Sequence, residues 1–392
     1  MIETRSIPLS ASELSAAVRA ALPYDTSRLD RVLRIDERHG LVEVQAATPW
    51  SAVAAALRPD DPNAHAAAMR TTRATVGESL ACNAAGPDGR PTVVHVESFA
   101  LVTPGGELRR ISRTANRELF SLVVGGYGLF GALYSVTLDI GSLSRAVNEA
   151  ASTPVVSSAK TGNPQHLLVP PETLDEFLAG ARARCAEWRL ALRGVDVRRT
   201  REEKDSFLRW ARREYAAVTL YLDAPPVLGV AVRTTELRRE LLDAAIARGG
   251  SFPLWCMTDA TRAQAEACYP ELETFLAEKR RVDPSERLVN PWYAHYRGLL
   301  GRGSCEVRFS GSEPNISSTF SGSSQAPRSE ISLLSGRTRQ PSPSTTSHAA
   351  LPLPYATTTW QAPLPLVRYG ASTSCSRLAS ASPFMEIFRR AA

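Results

Sequence analysis

What most limits the fold of this chain is a pair of segments built from small residues. The first is Thr75-Val76-Gly77-Glu78-Ser79-Leu80-Ala81-Cys82-Asn83-Ala84-Ala85-Gly86, and the second is Gly125-Gly126-Tyr127-Gly128-Leu129-Phe130-Gly131. Residues this small let a backbone run close to another surface, whether that surface is a ligand or a packed neighbour. In the first segment, Gly77 and Gly86 bracket consecutive N–H groups of the kind that form an anion-binding nest, and Thr75 and Ser79 add hydroxyls. The competing reading is a turn that leads into a tightly packed helix. The second segment follows a helical pattern at Glu118-Leu119-Phe120 and precedes an alternating run at 133–140. The order is helix, glycine turn, strand. A dinucleotide-binding fingerprint has the reverse order, with a strand running into the glycines and a helix leaving them, so that motif is excluded.

Periodicity around these segments predicts an α+β architecture. Residues 12–22 carry apolar positions at helical spacing, with Ser12 as the candidate N-cap. Residues 30–35 and 41–46 read as strands separated by Asp36-Glu37-Arg38-His39-Gly40, and 50–57 as a short helix. The runs 93–102 and 107–111 alternate and meet at Thr103-Pro104-Gly105-Gly106, a hairpin signature. A first domain is expected over 1–141. A second, over 150–300, combines helices from Pro171 to Trp188, at 235–248, 261–268 and 272–279 with strands at 190–197 and 215–222. This predicts helices on one face of an antiparallel sheet. From 302 to 392 the chain is rich in Ser and Pro and keeps no period. That composition predicts a disordered tail. A reading-frame shift near Gly301 and a genuine disordered tail are both open readings of it.

The net charge of +6 invites a nucleic-acid reading, but its distribution argues against one. The tail holds nine Arg and four Glu with no Lys or Asp, which leaves the first 300 residues near neutral. No apolar run is long enough for a membrane span, and no secretory signal is visible. The six Cys show no C-x-x-C pair and the six His no metal-like spacing, so neither a disulfide scaffold nor a metal site is expected. A cytoplasmic location is the expectation.

The two glycine segments and the sequence between and around them resemble the flavin-binding domain of the vanillyl-alcohol oxidase / p-cresol methylhydroxylase superfamily. The resembling stretches include Asp25-Thr26-Ser27-Arg28-Leu29-Asp30, Val42-Glu43-Val44-Gln45-Ala46 with Trp50, Val96-Glu97-Ser98-Phe99-Ala100-Leu101-Val102 and Asn116-Arg117-Glu118-Leu119-Phe120. Further on, Tyr269-Pro270-Glu271-Leu272-Glu273, Lys279-Arg280-Arg281-Val282-Asp283-Pro284 and Asn290-Pro291-Trp292-Tyr293 resemble alditol oxidases, aldonolactone oxidases and decaprenylphosphoryl-ribose oxidases. The resemblance implies a PCMH-type FAD-binding domain followed by a substrate-binding cap. Its activity would be oxidation of a hydroxyl group of a polyol, sugar or lactone by hydride transfer to flavin N5, with O₂ or another electron acceptor. A catalytically degenerate paralogue without turnover is the alternative reading.

The resemblance also implies roles for residues. Thr75, Val76, Gly77, Glu78 and Ser79 would line the FAD pyrophosphate and ribityl chain. Cys82, Asn83, Ala84, Ala85 and Gly86 would continue along the flavin. Gly125, Gly126, Gly128 and Gly131 would allow close approach, and Leu133 would offer backbone atoms to the adenine. Members of the superfamily carry a Gly/Arg-rich phosphate loop where this chain has only Ala21-Leu22-Pro23-Tyr24. The position of covalent attachment through His falls in that loop, so FAD would be non-covalent. Glu78 stands where relatives commonly have Gly, and Ala85 where they have His. Asp259 is the acidic candidate for a base toward the hydroxyl, set against a helix N-cap role before 260–268. Trp210 and Phe207 read as packing anchors.

Overall fold

The structure is a computed structural model. It describes residues 5–58, 60, 75–86, 88–151, 163–223, 228–256 and 259–301, all within one compact unit of the chain. The predicted tail at 302–392 lies outside the described residues.

Helix α1 (Ala11–Arg19) buries Leu14, Ala17 and Val18 on one face. Its cap is Ser10 rather than Ser12, because the Ser10 hydroxyl accepts the Glu13 N–H while Ser12 already lies within the first turn. Strands β1 (Val32–Asp36), β2 (Leu41–Gln45), β3 (Val96–Val102), β4 (Leu108–Ser112) and β5 (Ala132–Asp139) form one sheet in the order β1-β2-β5-β3-β4, with every pairing antiparallel. Residues 92–95, expected to begin β3, form a short 3₁₀ turn instead.

Alternation sorts the two faces of this sheet. Val42, Val44, Phe99, Leu101, Ile111, Val136 and Leu138 make the buried face. The other face is polar: Arg110 donates to Glu43, Ser98 and Thr137, and Ser135 donates to Glu43. Helices α2 (Trp50–Leu57), α3 (Val76–Cys82) and α4 (Arg117–Val123) supply the apolar side chains that complete the core. After β5 the chain enters α5 (Ile140–Ala151), a helix the alternating run before it did not reveal.

A second antiparallel sheet has the order β6-β8-β7, from strands β6 (Asn163–Val169), β7 (Leu192–Thr200) and β8 (Tyr215–Leu222). Strand β6 was not visible in the sequence, since it begins Asn-Pro-Gln-His and only then turns apolar. Helices α6 (Leu174–Glu187), α7 (Leu228–Ile246), α8 (Arg262–Cys268), α9 (Leu272–Val282) and α10 (Pro291–Gly301) accompany it. One hydrophobic cluster runs through both sheets. Phe130 meets Phe275 edge to face at 5.1 Å, and Tyr127 stacks on Trp292 at 4.2 Å.

Candidate functional site

The two glycine-bearing segments are brought together. Residues 76–82 form α3, capped by Thr75, whose hydroxyl accepts the Glu78 N–H at 3.2 Å. The helix ends at Asn83 in the left-handed conformation, φ +47°, a geometry Asn tolerates better than most residues. The turn 125–131 then bonds to the last turn of α3. Gly125 N–H donates to the Leu80 carbonyl at 3.0 Å and Tyr127 N–H to the Ala81 carbonyl at 2.9 Å. Leu133 lies in β5 opposite Leu101 and is half-buried.

Several glycines in these segments are explained by protein neighbours. A Cβ at Gly77 would lie 2.6 Å from the Ala46 carbonyl oxygen, and one at Gly131 2.5 Å from Leu101 Cγ. A Cβ at Gly126 would overlap the Leu122 carbonyl. Each glycine therefore permits one stretch of protein to sit against another.

The N–H groups at the start of α3 are committed as well. Val76 donates to Thr48 O at 3.0 Å, Gly77 to Ala46 O at 2.7 Å, Glu78 to Thr75 Oγ1, and Ser79 to Thr75 O at 3.0 Å. Ser79 Oγ accepts the Trp50 indole N–H at 2.8 Å. Ala84 N–H donates to Ser79 O and Gly86 N–H to Arg90 O, both at 2.7 Å. Glu78, half-buried, makes no ion pair among the described residues.

Asn83 is different. Its Oδ1 accepts the Val93 N–H at 3.1 Å and its carbonyl accepts the Trp210 indole N–H at 2.8 Å. Among the described residues its Nδ2 has no partner, although Asn83 is only 1 % exposed. A buried donor left without an acceptor costs about 1–3 kcal/mol, which makes it a feature to be explained. Around it, Trp210 meets Trp255 edge to face at 5.7 Å, and Asn290 Nδ2 donates to the Tyr127 carbonyl at 2.7 Å. Trp210 is thus both a packing anchor and a hydrogen-bonded brace for the segment. The sequence marked Trp50 and Asn290 within resembling stretches, and Trp210 as a packing anchor, without revealing these contacts.

The connection between α1 and residue 25 is closed in a comparable way. Ala21 N–H donates to Val18 O, Leu22 to Ala17 O, Ser6 to Pro23 O and Asp25 to Ser6 O. A short parallel bridge, Ser6 with Tyr24, results.

Behind the first segment lies a buried polar cluster that sequence reading missed. His95 Nδ1 shares a hydrogen bond with Ser142 Oγ at 2.7 Å, and its Nε2 lies 3.9 Å from Asp88 Oδ1. Burial pushes the Asp88 carboxyl up. The His95 ring, the Arg90 N–H and the Arg90 charge outweigh that and hold it below its ordinary value. Asp88, His95 and Ser142 are distant in sequence and show no motif spacing.

Asp259 does not cap α8. Thr261 does, in a reciprocal capping box with Gln264. The Asp259 carboxylate instead pairs with Arg238 at 3.0 Å, and its carbonyl accepts Arg239 Nε at 2.9 Å. Burial lowers the pKa of His295, and the Asp259 charge works against that shift. No group of three metal-ligating side chains occurs among the described residues, and none of their helices is long and apolar enough to cross a membrane.

Comparison with known proteins bears on the first of these units. Residues 9–112 match the FAD binding domain family, from just before α1 to the end of β4. A relative from Rhodococcoides fascians, described as an uncharacterized oxidoreductase, ORF5 in the fasciation locus, is 31 % identical over 119 residues. That match covers 29 % of this chain and 26 % of the relative, so the chain spans about a quarter of the curated relative's length. FAD is the cofactor that this domain takes.

Proposed function

We propose that the protein is a flavin-dependent oxidoreductase acting on a CH–OH group of a polyol, sugar or lactone. The observation that carries the reading is the FAD binding domain match together with the junction of the 75–86 and 125–131 segments around the orphan Asn83 amide. Bound flavin supplies hydride acceptance at its ring system. Thr75, Val76, Gly77, Glu78 and Ser79 remain the candidates beside the ribityl chain. Cys82, Asn83, Ala84, Ala85 and Gly86, with Gly125, Gly126, Gly128, Gly131 and Leu133, are the candidates around the rest of the cofactor. Within this set Asn83 Nδ2 is a buried donor without a partner among the described residues. The proton-accepting role is left unassigned: Asp259 is the candidate by position in the sequence, but its carboxylate is engaged in an ion pair with Arg238. We further propose that FAD is held without a covalent bond.

The test is direct. Purified protein should absorb in the flavin bands, and bound flavin should bleach anaerobically when polyols, aldoses or aldonolactones are added. A flavin-loaded protein that no such compound reduces would remove the substrate class. The second reading, a degenerate paralogue without turnover, is favoured by the committed N–H groups at Val76–Ser79 and by the closed connection at Ser6–Asp25. It expects flavin binding without reduction by any alcohol.

A further inference from the structure

We infer that the open groove between α4 and the segment leading into β8 binds a small phosphate monoester. The groove has a volume of about 530 Å³. None of its lining residues belongs to 75–86 or 125–131, so the inference does not rest on the flavin reading.

The lining carries three cations, Arg117, Lys204 and Arg209, and three carboxylates, Glu118, Asp205 and Glu271. As formal charges these cancel, but the ion pairs are lopsided. Glu118 pairs with Arg281, Asp205 with Arg113 at 3.0 Å and Glu271 with Arg212 at 3.4 Å, and none of those three arginines lines the groove. The Arg117 and Arg209 side chains make no hydrogen bond or ion pair among the described residues. Lys204 meets Glu202 at 3.6 Å with its own side chain 76 % exposed, a contact that contributes little. The carboxylates are therefore neutralised from outside the groove, and two guanidiniums are left over within it.

The wall that bears Lys204 and Arg209 is fixed before a ligand arrives. Buried Glu203 accepts the Asp205 N–H at 2.8 Å, the Ser206 N–H at 3.0 Å and the Ser206 hydroxyl. Phe207 N–H donates to the Ser121 carbonyl at 2.9 Å, which ties this wall to α4, the helix that begins at Arg117. The half-buried Phe207 ring rests on Phe275 at 5.9 Å and gives the groove an aromatic wall.

A guanidinium fork suits phosphate and carboxylate alike. Two forks and an ammonium offer more donors than the two oxygens of one carboxylate can use. A phosphate monoester brings three terminal oxygens and a charge near −2, which matches the two uncompensated guanidiniums. The groove is larger than a phosphate group alone requires, and Phe207 supplies apolar surface for the organic part.

The full chain is titrated calorimetrically with phenyl phosphate, and with benzoate as the carboxylate counterpart. Phenyl phosphate should bind at least about tenfold more tightly than benzoate, and added salt should weaken it. Arg117→Gln and Arg209→Gln should each weaken it about tenfold, the effect of one lost charge-assisted hydrogen bond. Arg117 is exposed, so its replacement should leave the melting temperature unchanged. Glu118→Gln should act in the opposite direction and tighten binding, because it removes an anion from the lining and releases Arg281. Arg109→Gln, on β4 and outside the groove, should change nothing. The inference would be overturned by phenyl phosphate that fails to bind at millimolar concentration, that benzoate equals, or that binds both groove-arginine variants as tightly as the unaltered chain. Weaker binding by Glu118→Gln would overturn it as well. No flavin enters the readout, so failure here leaves the proposed function standing.

Discussion

A single methyl group tests how the turn after the first glycine segment is anchored. Gly89 has φ +78°, and a Cβ there would overlap the Arg199 carbonyl oxygen in β7. Two costs follow for Gly89→Ala. The left-handed backbone costs an L-residue roughly 1–2 kcal/mol. The overlap is with backbone, which cannot swing aside as a side chain would, and forced overpacking of this kind costs roughly 1–3 kcal/mol more. Their sum is roughly 2–5 kcal/mol, a large share of a typical stability. Gly40 supplies the control. It has φ +66° in the β1–β2 turn, with nothing within 4 Å of an added Cβ. Gly40→Ala therefore carries only the conformational cost, roughly 1–2 kcal/mol. Urea unfolding followed by tryptophan fluorescence would give both midpoints, and an unchanged m-value would show that the denatured states are comparable. The difference between the two variants isolates the contact of Gly89 with β7. If Gly89→Ala costs no more than Gly40→Ala, that contact does not exist in solution, and the bracing of the 75–86 segment by the second sheet has been misread.

Other outcomes follow from buried charges and from the cofactor. Lys279 and Asp283 form an ion pair with both side chains at most 1 % exposed. Lys279→Met should destabilise by about 3–5 kcal/mol by stranding the carboxylate, and Asp283→Asn added to it should recover part of the loss; thermal melts at neutral pH would check both. Glu203 is 3 % exposed, and burial raises its carboxyl above its ordinary value despite hydrogen bonds from Ser206 and Asp205. The folded state then keeps a proton the unfolded chain has lost, so stability falls as pH rises from the ordinary carboxylate range through the raised value, and Glu203→Gln should flatten that slope in urea midpoints measured against pH. Acid precipitation should release all bound flavin to the supernatant; flavin in the pellet would refute non-covalent attachment.

The sequence made local features legible and hid those that depend on distant partners. Helix α2 was read at its observed bounds because Trp50–Leu57 is apolar and ends near Pro59. The hairpin of β3 and β4 was legible from Pro104-Gly105-Gly106. Strand β6 and helix α10 were not. The first opens on polar residues and takes its register from β8, and the second begins at a proline that also reads as a breaker. The cap on α1 moved by two residues because Ser10 and Ser12 are both good caps and only the position of Glu13 N–H decides between them. At the site, the sequence could nominate Thr75, Gly77 and Asn83 from residue type. It could not say that Gly77 N–H is taken by Ala46 and that Asn83 Nδ2 is left over, because both facts are set by residues well outside the segment.

That last contrast bears on how a glycine-rich segment is to be read. Small residues license close approach but do not say what approaches. At Gly77, Gly126 and Gly131 the approaching group is protein: the Ala46 carbonyl, the Leu122 carbonyl and the Leu101 side chain. Those contacts make a rigid floor out of two segments that would otherwise be loops. Rigidity has a consequence for the Asn83 amide, whose Nδ2 has no partner among the described residues. A floor that could rearrange would turn the Asn83 amide toward some acceptor of its own, since an orphaned buried donor is costly. Here the Val93 N–H holds one end of that amide. The glycines thus act on a ligand indirectly: they let protein pack tightly enough to keep a single donor unspent. Gly125→Ala would test this separately from any steric effect on the cofactor. An added Cβ would meet Asn83 Cβ at 3.5 Å, an ordinary contact, so its effect is the strain of an L-residue at φ +67°, which should loosen the turn and so weaken riboflavin and FAD together. Loss of FAD affinity with riboflavin binding untouched would mean that the glycine faces the nucleotide.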